Sequence, residues 1–66
     1  MTVRCAVTFE FVNEAPRTWR GTVAGAALAT CVARAVRSAK TELRPVRWTS
    51  AVCVALERLD SGEDAG

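Results

Sequence analysis

Three cysteines, Cys5, Cys31 and Cys53, carry the most versatile chemistry in this 66-residue chain. A thiolate is a nucleophile and a soft metal ligand, but it needs a neighbour that favours the charged form or further ligands close by. The sequence offers neither. No two cysteines are spaced Cys-x-x-Cys, and there is no histidine to complete a zinc site or to serve as general base. No pair of carboxylates recurs at a strand or helix spacing that would make an acid–base dyad. Gly21 and Gly25 belong to neither phosphate-loop pattern, G-x-x-x-x-G-K-[ST] or G-x-G-x-x-G. The expectation is a protein that is not an enzyme, with no catalytic, cofactor or metal site.

Basic side chains are the next candidates. Nine arginines and lysines stand against seven acids, for a net charge of +2, and Asp60, Glu63 and Asp64 crowd the last seven residues. Residues 1 to 59 therefore hold nine basic and four acidic residues, a body of +5. Arg34, Arg37, Lys40 and Arg44 recur at helical spacing, and a phosphate backbone would be met by such a stripe. The ordinary reading of a charged helical stripe is a solvated outer face.

The odd number of cysteines argues against a disulfide framework and for reduced thiols. The N-terminus, Met1-Thr2-Val3-Arg4-Cys5, opens no signal-peptide run, and no apolar stretch approaches the ~20 residues of a membrane span. A cytoplasmic protein with no membrane partner is expected.

Hydrophobic periodicity defines the elements that would position these groups. Residues 2 to 12 alternate strictly, with Val3, Cys5, Val7, Phe9 and Phe11 on one side, as in a half-buried strand. Asn13-Glu14-Ala15-Pro16 is turn chemistry, and Pro16 cannot donate to a ladder. A second strand follows over 17 to 24, with Trp19, Gly21 and Val23 on the apolar side. Pairing Phe11 with Trp19, Phe9 with Gly21 and Val7 with Val23 gives a hairpin that also sets Glu10 opposite Arg20.

Past Gly25 the period becomes helical. Leu28, Cys31, Val32, Ala35, Val36, Ala39 and Leu43 form one face of a helix over about 26–43, which Pro45 ends by disfavouring helical geometry at Arg44. Gly25 is the best available start cap. Residues 47–58 alternate again, with Trp48, Ser50, Val52, Val54 and Leu56 assigned to the core and Thr49, Ala51, Cys53, Ala55 and Glu57 to the outside. Residues 60–66 read as a flexible acidic tail.

The result is a single α+β domain over 1–59, of order ββαβ: a three-stranded, mainly antiparallel sheet with an amphipathic helix on one face. Strand order 2-1-3 is favoured over 1-2-3, because the longest alternation then lies in the middle. On the open face the expected interaction surface is Arg4, Thr8, Arg20, Arg47, Thr49, Ala51, Cys53 and Ala55.

A core this small favours a partner subunit. The leading expectation is a small protein-interaction module that forms a homodimer or binds another protein. The alternative is weak nucleic-acid binding through Arg34, Arg37, Lys40, Arg44 and the open sheet, which lacks the exposed aromatics that stack RNA bases. In size and element order the chain is similar to short accessory proteins of phages and mobile elements, a likeness of architecture that no motif carries.

Overall fold

The computed structural model describes residues 1–59, so the expected acidic tail at 60–66 lies outside the described residues. Its elements are β1 (Thr2–Phe11), β2 (Arg17–Ala24), α1 (Leu28–Leu43) and β3 (Trp48–Arg58). The sheet order is β2-β1-β3, with both outer strands antiparallel to β1. The strand with the longest apolar alternation, β1, is therefore central, and α1 carries the chain from one sheet edge to the other.

The core is the side of β1 that alternation marks, closed by the small face of α1. Val3, Cys5, Val7, Phe9, Trp19 and Val23 from the sheet meet Cys31, Ala35 and Ala39 from the helix, and among the described residues no polar or charged side chain is buried. Cys31, Ala35 and Ala39 are wholly enclosed. Their short side chains let the helix lie close to the sheet, where apolar atoms leave water at roughly 25 cal/mol per Å². Leu28 departs from the expected apolar face. At the first residue of the helix it is 49% exposed, beside a shallow cleft that Met1, Val3, Ala55 and Leu56 also line.

The helix begins at Leu28, later than expected, after an extended Ala27 that supplies no side-chain cap. Gly25 is not the cap. Its N–H donates to the Met1 carbonyl at 2.9 Å, and its own carbonyl accepts from the Met1 ammonium at 2.7 Å, which ties the start of β1 to the end of β2. A Cβ at Gly25 would lie 2.9 Å from Thr30 Cγ2, so close approach explains the glycine. The other helix end follows the sequence expectation. Arg44 turns left-handed at φ 48° and donates its N–H to the Lys40 carbonyl, immediately before Pro45.

Two registers depart from the sequence reading. In the hairpin, Val3 pairs with Val23, Cys5 with Gly21, Val7 with Trp19 and Phe9 with Arg17. Arg20 accordingly faces Ala6, and Glu10 pairs with Ser50 of β3. The slip is by an even number of residues, so each side chain keeps its face, and alternation alone does not choose between such registers. The Trp19 indole lies over Gly21 of its own strand, so that a Cβ there would collide with the ring.

The second correction is larger. Ala51, Cys53 and Ala55 pair with Phe9, Val7 and Cys5 and so face the helix side, whereas Val52 and Val54 pair with Thr8 and Ala6 on the open side. The expected faces of β3 are inverted between Ser50 and Ala55. Trp48 still stands on the helix side, opposite Phe11. Between Trp48 and Ser50 the register shifts, leaving Thr49 as an extra residue. One inserted residue reverses the face of every position after it. A second shift, with Leu56 as the extra residue, returns Glu57 to the side of Arg4.

A candidate interaction surface along β3

The helix lies over β1 and β2 more than over β3, so the third strand is thinly covered even on its helix side. Ala51 and Cys53 are half-buried there and Ala55 is exposed. On the other face Val52 and Val54 are 51% and 48% exposed, while Leu56, the extra residue at the second shift, is 52% exposed beside the Leu28 cleft. One edge of β3 bonds to β1, and among the described residues no strand pairs with its other edge.

The two sheet edges differ in how they discourage pairing. β2 presents Arg17 and Arg20 and follows Pro16, features that keep an edge from recruiting another strand. β3 has no charged residue from Trp48 to Leu56. Its only irregularities are the extra residues Thr49 and Leu56 at either end of a regular stretch, Ser50–Ala55. An uncharged apolar edge left open is a template for another chain.

Several residues expected on the open face are there but already engaged. Arg4 forms a 3.0 Å ion pair with Glu57, both about half exposed. Such an exposed pair contributes little to stability. Thr8 and Thr18 face one another across β1 and β2 with their hydroxyl oxygens 3.0 Å apart. The Thr49 hydroxyl donates to the Glu10 carbonyl at 3.1 Å, and the Ser50 hydroxyl to a Glu10 carboxylate oxygen at 3.3 Å. Arg20 is exposed. Arg47 is not on the sheet: it has φ 61° in the connection before β3, where it lines a cleft with Phe11, Val12 and Val46. Ala51, Cys53 and Ala55, assigned by sequence to the open face, lie on the helix side for the reason given above.

The helical basic residues are not one free stripe. The Arg34 guanidinium donates to the Ala24 carbonyl at the end of β2. Lys40 Nζ sits 5.2 Å from the ring centroid of Trp48, a cation–π contact on the β3 side. Arg44 forms the left-handed end of the helix, and Arg37 is exposed. Two of the four side chains thus turn toward opposite edges of the sheet.

The cysteines come from three elements to the same side of the sheet and all are free. Burial, then the Cys53 thiol, then Cys31, push the Cys5 thiol above its ordinary range. That direction holds the thiol protonated and opposes nucleophilic use. No group of three or more His, Cys, Asp or Glu side chains is arranged to hold a metal ion among the described residues. No helix among them is long and apolar enough to cross a membrane.

The surface that sequence reasoning missed is the Val52–Val54 pair on the open face. Its signal was the unbroken apolar run from Ala51 to Leu56, which satisfies a core face in either alternation. No protein-family model matches the chain, and neither a curated protein nor a solved structure shows significant similarity to it.

Proposed function

We propose that the protein is a non-enzymatic interaction module that self-associates through β3. The observation that carries this reading is an eleven-residue edge strand, uncharged from Trp48 to Leu56, with half-exposed valines on one face and a thinly covered face on the other. Pairing that edge removes apolar surface from water and satisfies backbone groups of the ladder at once. The free thiols fit a reducing, cytoplasmic setting.

Sedimentation velocity from low to high micromolar concentration tests the reading. The wild type should pass from monomer to dimer, and Val54→Lys should remain monomeric with an unchanged far-UV circular dichroism spectrum. A wild type that stays monomeric throughout would refute self-association. Nucleic-acid binding draws less support, because Arg4, Arg34 and Lys40 already have partners within the fold.

A further inference from the structure

From the palindromic order of side chains in β3, we infer that two copies pair antiparallel through this strand about a two-fold axis at Cys53. The inference rests on the self-association proposed above and specifies its geometry. A two-fold interface places the same patch against itself, so the patch must be complementary to its own reverse. Residues 51–55 read Ala-Val-Cys-Val-Ala, the same in both directions. The repetition is also structural. Val52 and Val54 lie on the open face with nearly equal exposure, and Ala51, Cys53 and Ala55 alternate with them on the helix face.

Side-by-side antiparallel strands related by a two-fold axis have that axis perpendicular to the sheet, so both helices lie on the same side. Residues directly opposite then share a face. With the axis at Cys53, Val52 meets Val54 of the second copy, Ala51 meets Ala55, and the two Cys53 side chains face each other. All five positions fall within the regular stretch between the extra residues Thr49 and Leu56. Just outside them Ser50 comes opposite Leu56, where the regular stretch ends, and no like charges are paired.

Neighbouring registers are poorer. An axis at Val52 sets Ser50 against Val54. An axis at Val54 sets Ala51 against Glu57 and carries the pairing across the Leu56 irregularity. The Cys53 register alone sets apolar against apolar throughout residues 51–55. It yields one continuous sheet, β2-β1-β3-β3-β1-β2, with the valines of both copies clustered on the open face.

Cysteine pairing reads the register directly. In a Cys53→Ser background, Val52→Cys and Val54→Cys variants are prepared separately, mixed, and treated with diamide, which takes two electrons and two protons from a thiol pair. The axis at Cys53 requires a disulfide-linked dimer in the mixture that is lost when either variant is treated alone. Wild type should cross-link through Cys53, and Cys53→Ser should not. A dimer by sedimentation in which Val52→Cys or Val54→Cys cross-links best with itself overturns this register but leaves self-association standing. So does a dimer with no cross-link at any of these positions. A monomer by sedimentation overturns both.

Discussion

Trp48 stands edge-on to Phe9, with ring centroids 5.5 Å apart and planes inclined at 67°. Phe9 is fully buried at the middle of the sheet, and Trp48 covers it from the start of β3 while Lys40 lies over the indole. The contact fixes where β3 begins on the helix side. Ser50, two residues on, then pairs with Glu10 on the opposite face, and Thr49 absorbs the mismatch. The aromatic anchor and the irregularity beside it therefore decide which β3 side chains are left outside.

Removing the anchor should destabilise the fold. Trp48 is 38% exposed, so Trp48→Ala should cost about 2 kcal/mol, less than a fully buried aromatic, from lost burial and the edge-on contact with Phe9. Urea unfolding followed by circular dichroism measures this. Trp48→Phe should recover most of the loss, and a Trp48→Ala variant as stable as wild type would show that the anchor is not structural.

Gly21 is required by Trp19 and not by backbone freedom. No glycine among the described residues has a positive φ, and a Cβ at Gly21 would collide with the Trp19 indole. Gly21→Ala should destabilise by roughly 1–3 kcal/mol, as overpacking does. Pairing it with Trp19→Leu should relieve the collision, so the double variant should lose less than the two single losses combined. Strict additivity would place the difficulty elsewhere in β2.

Much of this architecture is legible in the residues themselves. The alternation of Val3 through Phe11, the helical recurrence of Cys31, Ala35 and Ala39, and Pro45 mark the elements and favour the 2-1-3 sheet that the structure has, without excluding 1-2-3. Periodicity is local, so it reports which side chains share a face within one element. Register between elements depends on contacts that it does not encode. The hairpin pairs Trp19 with Val7 in place of the expected Phe11, an even step that alternation does not resolve, and β3 is inverted because Thr49 adds one residue beside Trp48. Arg34 and Lys40 belong to the expected outer stripe, but their length lets them reach the Ala24 carbonyl and the Trp48 ring.

Alkaline pH should weaken the fold through Cys5. Its thiol is raised above the ordinary value of 9.0, so the unfolded chain ionises at a lower pH than the folded one. The unfolded state then binds fewer protons, and stability falls as pH rises. This contribution is whole below the ordinary thiol value and is lost as pH climbs from there through the raised folded value. Urea midpoints between pH 7 and pH 10.5 (roughly the span bracketing ordinary thiol ionisation) should decline in wild type and decline less in Cys5→Ala. Equal slopes in the two proteins would assign the pH dependence to other groups.

Arg34 and Arg37 are adjacent on the same helix surface, yet they should respond differently to charge reversal. The Arg34 guanidinium donates to the Ala24 carbonyl, whereas Arg37 is exposed and its backbone carbonyl accepts from the Thr41 hydroxyl, a bond that a side-chain change leaves in place. Arg34→Glu should cost about 1 kcal/mol, since it removes a charged donor from a partly solvated acceptor, while Arg37→Glu should fall within about 0.5 kcal/mol of wild type. The contrast also makes Arg37→Glu the cleaner probe of nucleic-acid binding, because it changes charge without touching a structural hydrogen bond. In gel-shift titrations with random duplex and single strands, any retardation at low salt should be weak and should vanish as salt is raised, as expected for nonspecific attraction to a body of +5. Tight binding that survives salt and is abolished by Arg37→Glu alone would make the helix, and not β3, the functional face.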